Sequence, residues 1–565
     1  MKIGINFCCV LAILSADALS LNANVTVPDS VAEPGVEQMD TLVVESNGEP
    51  EINSLFQLGS NVPTHLNVAA PAKKRPWLAG AEVVAEDLLF HVLTRYLIKE
   101  DYAQISWSSI KNNFKTGLLW DNDKFETNLF SHPYQGNLYY SSARSNGLNF
   151  WESAPYALLG SSIWEWFMET QPASINDIMS TTFGGMALGE TTYRLSSLVL
   201  NGQARGWERA SHELVAAFLN PVRAVNRLMT GEAWRIGPRY VDKEATIPFH
   251  FRFEAGYRML DNIREGKNRS IHVGCMDFSL IYNDPFEIEG NVPFEHFTAR
   301  MLFNMFAHQP IIGDVNICAS IWGREHDYKN GNELFAGIFQ NYSYYNSGRM
   351  DNESNEVPFR ISETVSYGPG VLYRMKLHEN NTLALNGFVS GVALGGALCD
   401  YYQFHDRDYN MGSGYSIRLN GLFTLQRRFG IYLGFENYHI FTWKGYEHKD
   451  YENMNPHYLD AQGAVGDARL QMMNLRGSFA ISPKVGISAE TAWCRRKSHY
   501  NISPMSCPTH LNFGLCFHII FEIFTNFVHI KYEYENTHFS GAIVRRIMGK
   551  RSNCLSRCFS IRIIR

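Results

Sequence analysis

The sequence predicts a mainly β chain with an α-helical N-terminal unit: an outer-membrane antiparallel β-barrel of about 12 strands plus a helical plug or periplasmic cap. Three observations carry that prediction. The first 23 residues have the layout of an export signal. From about residue 246 onward, apolar side chains recur at every second position. The composition is aromatic-rich and charge-poor, with 36 Phe, 28 Tyr, 11 Trp and 19% charged residues among 565. Such a balance suits a barrel whose interfacial girdles use Trp and Tyr.

The export signal, residues 1–23, places Lys2 before an apolar run that ends at Leu14. That run is too short to span a bilayer, and small residues around Ala16, Ala18 and Ala23 suit cleavage. Residues 24–75 are rich in Asn, Val, Pro, Glu, Ser and Gly without periodicity, and read as a disordered acidic leader. The net charge of −6 excludes a nucleic-acid partner, which would need a basic surface.

Residues 76–240 form the helical unit. Trp77 to Ile98 spaces Val84, Leu88, Leu89, Val92 and Tyr96 at helical intervals. Phe150 to Glu169 carries Trp151, Trp164 and Phe167 among many aliphatic residues, too apolar a load for a solvated helix. After the breaker Pro172, Ser174 and Asp177 read as a helix start, with Ser174 as N-cap. That helix is expected to run to about Leu200, with two further ones over 207–219 and 222–230. Gly184, Gly185 and Gly189 lie inside it, which predicts a face that another backbone approaches closely.

The barrel occupies residues 241–540. Tyr415, Ile417, Leu419, Gly421, Phe423 and Leu425 fall on one face, and Ser416, Arg418, Asn420 and Thr424 on the other. A tight turn at Arg427 and Arg428 leads into the next strand. The same alternation runs through His272 to Leu280, Ala299 to Met305 and Val485 to Trp493. Short turns are expected on the periplasmic side, and longer polar stretches, such as 400–413 and 444–466, as outer loops. Residues 541–565 form a basic tail. Eight cysteines outside the signal are scattered without a CxxC pair, so they read as small apolar side chains rather than metal ligands.

From Asp123 to Arg194 the chain resembles an uncharacterised family of Gram-negative outer-membrane proteins, a catalogued domain of unknown function in which a helical segment precedes a β-barrel. The phrases that carry the resemblance are His132-Pro133-x-x-Gly136, Ala143-Arg144-x-x-Gly147, Trp151-Glu152, Trp164-Glu165, Ser174-x-Asn176-Asp177, Thr181-Thr182-x-Gly184-Gly185 and Gly189-Glu190. It implies a compartment, the cell outer membrane, and brings no catalytic residues with it.

The helical unit gathers a polar cluster of His132, Arg144, Glu152, Glu165, Ser174, Asp177, Glu190 and Arg194. Buried charges need partners, so the cluster is either a structural ion network or a functional site. Glu190 and Arg194, four apart, suit a helical ion pair, while Arg144 suits Glu152 or another acid of the unit. No serine sits in a G-x-S-x-G elbow, H-E-x-x-H is absent, and no Gly-rich loop ends in Lys-Ser or Lys-Thr. The expectation is therefore a protein of the envelope that handles lipid or solute or serves structure. The alternatives are a lipid-modifying acyl hydrolase or transferase and a gated pore. No cofactor or metal is expected, and the expected partners are outer-membrane lipid and the outer-membrane assembly machinery.

Overall fold

The computed structural model describes residues 67–68 and 73–523, apart from 122, 203, 236–239, 242–246, 265–266, 306–308, 329–330, 350–356, 379, 400–408, 446–452, 454–457, 459, 461–462 and 502–509. The signal, nearly all of the leader and the basic tail lie outside the described residues.

Twelve antiparallel strands close into a barrel. They are β1 (Phe249–Arg264), β2 (Lys267–Tyr282), β3 (Phe297–Met305), β4 (Ile312–Asp327), β5 (Glu333–Asn346), β6 (Arg360–His378), β7 (Asn381–Leu398), β8 (Tyr409–Leu425), β9 (Phe429–Thr442), β10 (Gly466–Ala480), β11 (Val485–Tyr500) and β12 (His510–Ile523). Each strand pairs with its sequence neighbour, and β12 pairs with β1 to complete the ring. The expected antiparallel barrel, its strand count and the helical unit ahead of it are met. Gln426 and Arg427 adopt positive φ of 49° and 55°, forming the tight turn between β8 and β9 that the sequence marks.

Side chains that meet across non-adjacent strands identify the lumen, because on the convex outer face they diverge. Arg418 on β8 donates to Asn341 Oδ1 at 2.7 Å and Ser343 Oγ at 2.9 Å on β5, three strands away. Tyr345 on β5 donates to Glu436 Oε2 on β9 at 2.9 Å. Arg476 on β10 reaches Glu254 on β1. The lumen is thus crossed by paired charges. The connection 283–296 folds into one mouth, where Ile288 packs with Phe335, Phe339, Leu372 and Phe388. Asp284 pairs there with Arg374 at 2.8 Å. On the alternate, outer face, Leu419, Ile431, Leu433, Val389 and Ile338 are exposed.

The helical unit comprises α1 (Pro76–Val92), α2 (Trp107–Thr116), α3 (His132–Ser145), α4 (Phe150–Ile163), α5 (Ile175–Met179), α6 (Gly185–Val199), α7 (Gly206–Leu219) and α8 (Pro221–Met229). Wide π-type turns extend α1 through Leu93–Ile98 and join α5 to α6 through Ser180–Gly184. Ser174 caps α5 as expected, its hydroxyl accepting from the Asp177 amide.

The unit neither plugs the lumen nor caps a rim; it lies against the barrel's outer wall. Gln340, Tyr342 and Tyr344 alternate with the lumen-facing Asn341, Ser343 and Tyr345 and therefore point outward. Gln340 donates to the Phe183 carbonyl at 3.0 Å, and Tyr342 to the Leu129 carbonyl at 2.8 Å. Phe125 packs on Tyr344 with ring centroids 5.4 Å apart. Burial records the cover directly: β5 alternates up to the exposed Ile338, and from Phe339 to Asn346 every residue is buried. The contacts run from Tyr282 at the end of β2 to Trp443 beyond β9, where Trp120 packs with centroids 4.4 Å apart. The physical reason is room. The lumen is already occupied by its own charged and aromatic side chains, and helices of this number have only the outside left.

Candidate functional site

The polar residues of the helical unit separate into two clusters and one outlier. The first is built on Glu190, fully buried on α6. Arg144 on α3 donates through Nε to Glu190 Oε2 at 2.7 Å and through Nη2 to Oε1 at 3.2 Å. Arg194, one turn along α6, donates to Oε1 at 2.7 Å, and Tyr140 OH donates to Oε2 at 2.9 Å. The arginines reach on to carbonyls, Arg144 to Leu148 at 2.6 Å and Arg194 to Pro293 at 3.1 Å. Pro293 belongs to the connection that enters the barrel mouth, so this triad ties α3 and α6 to the barrel. Burial pushes the Glu190 carboxyl up, but the two guanidiniums outweigh it and hold the pKa below the usual range.

The second cluster gathers acids without an arginine. Glu165 accepts from the Ser174 amide at 2.8 Å. Asp177 Oδ1 accepts from Asn176 Nδ2 at 2.9 Å, and Asn176 Oδ1 accepts from the Asp121 amide at 2.8 Å. Glu169 accepts from Trp164 Nε1 at 2.5 Å. Burial, then the neighbouring carboxylates Glu169 and Asp177, push Glu165 well up; burial and then Asp121 do the same to Asp177. Burial and then Asp123 raise Glu169 to about 8. His132 Nε2 lies 3.6 Å from Asp177 Oδ1, and burial lowers its pKa to about 4. That imidazole is therefore neutral at neutral pH, so no ion pair joins it to Asp177.

Glu152 stands apart from both. It is partly exposed, pairs with Lys74 at 2.6 Å and closes a capping box with Asn149 at the start of α4. Arg144 therefore takes Glu190 and not Glu152. Ser174 is committed to its cap: the hydroxyl accepts from the Asp177 amide at 3.2 Å and donates to Asn176 Oδ1 at 3.0 Å. Its contacts are those of a helix start and include no activating base. Among the described residues no group of three or more His, Cys, Asp and Glu side chains is placed to hold a metal ion.

Gly136, Gly184, Gly185 and Gly189 lie where there is no room for a side chain. A Cβ on Gly185 would lie 2.5 Å from the Gly136 carbonyl carbon, and one on Gly136 only 1.7 Å from the Thr181 oxygen. One on Gly189 would strike Tyr140 at 2.6 Å, and one on Gly184 would meet Pro133 at 2.8 Å. The α3 and α6 backbones thus touch, which brings Arg144 within reach of Glu190. Sequence reasoning passed over Tyr140, Asp121 and Asp123; the Asp121-x-Asp123 spacing just ahead of α3 was the available signal. It also passed over the α1 acids. Asp87 is fully buried and accepts from Tyr139, and Glu86 accepts from Ser142 at 2.6 Å.

Fold and site together define a closed β-barrel with a helical domain clamped to its outer wall by a buried ion triad. Residues 117–222 match the family model DUF3943, a domain of unknown function. The match encloses the stretch in which the sequence shows its resemblance. No curated protein matches in sequence. Among solved structures, the NanC porin is similar at 11% identity over 48% of this chain and all of that one, with a TM-score of 0.24. The KdgM porin is similar at 9% identity over 48% of this chain and 99% of that one, with a TM-score of 0.21. The outer-membrane channel DcaP of Acinetobacter baumannii is similar at 8% identity over 49% and 98%, with a TM-score of 0.22. Nothing about activity follows from likenesses this remote.

Proposed function

We propose that this protein is an integral outer-membrane β-barrel that works in the plane of the membrane, handling envelope lipid at its helix-covered wall. One observation carries the reading: the lumen is crossed by ion pairs such as Arg476–Glu254 and holds the packed Ile288 cluster at one mouth, while the helical unit is built onto the outer face. Work done through the lumen would need an open path. Work done at the wall needs what is there, a helical surface on a sheet face that otherwise shows Val389, Leu419 and Leu433. The export signal read in residues 1–23 supports the compartment, and the apolar outer band supports insertion.

The test is extraction of the full-length protein in mild detergent, followed by mass spectrometry of bound lipid. Wild type is expected to retain a defined lipid class, and Glu190→Gln, which loosens the clamp, is expected to lose it. Steady conductance of the wild-type protein in a planar bilayer would instead establish a pore. Equal, unselective lipid in both proteins would reduce the unit to a structural role.

A further inference from the structure

The helices are built inside out. Between Trp77 and Leu97 every exposed residue is apolar, Leu88 and Leu89 each about half exposed, whereas Glu82, Glu86, Asp87, His91 and Arg95 are all turned inward. Between Trp151 and Phe167 the exposed residues are again only apolar, Leu158 and Leu159 among them, while Ser153, Ser161 and Glu165 are buried. On α8, Val225, Leu228 and Met229 are exposed and Arg223 and Asn226 are buried. A helix that covers a core in water shows the opposite arrangement.

The interior matches. Asn220 Nδ2 donates to Ser141 Oγ at 2.8 Å, Asn226 Nδ2 to Glu82 Oε1 at 2.8 Å, and Arg223 to Ser196 Oγ at 2.8 Å. Helices held to each other by hydrogen bonds and by glycine contacts such as Gly136–Gly185 are the arrangement used where the surrounding solvent is as apolar as leucine. Exposed charge lies off these faces: Lys73, Lys74 and Arg75 precede α1, Lys99 and Asp101 follow its extension, Lys111 and Lys115 sit on α2, and Arg205, Glu208, Glu232 and Arg235 lie on or beside α7 and α8. On α2 and just beyond it, Asn112 reaches Tyr458 and Trp120 reaches Asp460, in the longest connection of the barrel.

We infer that the outward face of α1, α4 and α8 is a lipid-contacting surface, immersed in the acyl-chain layer beside the barrel. The occupant is lipid because the surface continues the barrel's own apolar wall. On β5 the outward row passes from bare Ile338 to Gln340 under the helices, so helices and wall share one layer. No helix among the described residues is long and apolar enough to cross a membrane by itself, and none has to. The sheet supplies the crossing and the helices replace lipid along part of it. The inference rests on the proposed membrane insertion of the barrel, and its test separates the two.

The photoreactive residue p-benzoylphenylalanine is placed singly at Leu88, Leu159, Leu433 or Lys115 of the full chain. Each protein is reconstituted in vesicles of phosphatidylethanolamine and phosphatidylglycerol, checked for the heat-modifiable mobility of a folded barrel, irradiated and weighed intact. Phospholipid adducts at Leu88 and Leu159 as strong as at Leu433, with none at Lys115, are the expected result. Adducts at Leu433 alone overturn the inference and leave the barrel in its membrane. Cross-links from Leu88 or Leu159 to a second copy also overturn it, since the surface is then a protein interface. Absence of lipid at Leu433 removes the membrane reading and the inference with it.

Discussion

The two buried clusters of the helical unit hold their charge in opposite ways. Around Glu190 one carboxylate faces two guanidiniums and a tyrosine hydroxyl, and every oxygen is bonded at 2.7–3.2 Å. Around Asp177 the buried Glu165 and the half-buried Glu169 lie near Asp121 and Asp123, and the histidine beside them is held neutral. In the first cluster the Coulomb gain exceeds the desolvation cost; in the second, burial and the neighbouring carboxyls favour the protonated forms. Burial alone therefore does not say what a carboxylate does. The neighbours' charge decides it.

The sharpest way to break this comparison is Glu190→Gln. It keeps the shape but leaves two buried arginines without their anion, and breaking such a network costs about 3–5 kcal/mol. The helical unit is expected to unfold at lower urea and to become sensitive to protease in detergent, while the barrel keeps its heat-modifiable mobility. A Glu190→Gln protein as resistant as wild type would show that the triad is not the clamp.

Proton binding gives the next effect, with opposite signs in the two clusters. A carboxyl whose folded pKa is raised binds its proton more tightly in the fold, so its contribution to stability is whole below the unfolded pKa and fades as pH rises toward the folded one. For Glu169 that window runs from 4.5 to about 8. Glu190, held low, contributes above its unfolded pKa and loses that contribution on acidification. The urea midpoint of the helical unit is expected to fall between pH 5 and pH 9. Asp177→Asn, which removes one of the crowded acids, is expected to leave the midpoint nearly unchanged at pH 5. At pH 9 it should raise it, because the amide removes a carboxyl that burial and its acidic neighbours oppose ionising. An Asp177→Asn protein that is weaker than wild type at pH 9 would mean that the carboxylate is needed in its ionised form.

Much of the barrel was legible because strand pattern and turn chemistry are local: Tyr415 to Leu425 alternates, and Arg427 turns. The N-cap at Ser174 and the close-packing glycines were legible for the same reason. The side on which the helices dock was not. Leu88 and Glu86 show the same period whether the apolar stripe faces a core or a bilayer, and periodicity carries no sign. Nor was the partner of Arg144, because Glu190 lies 46 residues away and meets it only through the Gly136–Gly185 contact. Glu169 and Glu190 look alike in sequence; only the folded neighbours give one a proton and the other two arginines.

Glu152→Gln provides the smallest effect and the control that sharpens the rest. Sequence reasoning grouped Glu152 with the other acids, but its carboxylate is partly exposed, bonded to Lys74 and to the Asn149 amide at 3.0 Å. Lys74 and burial contribute little that water and salt do not screen, and glutamine retains an oxygen for the Asn149 amide. The urea midpoint of this variant is expected to match wild type at both pH 5 and pH 9, and to shift slightly at most in low salt. A loss comparable to that of Glu190→Gln would overturn the division of the acids by burial. A pH slope changed as in Asp177→Asn would place Glu152 in electrostatic contact with the acid cluster, from which the fold separates it.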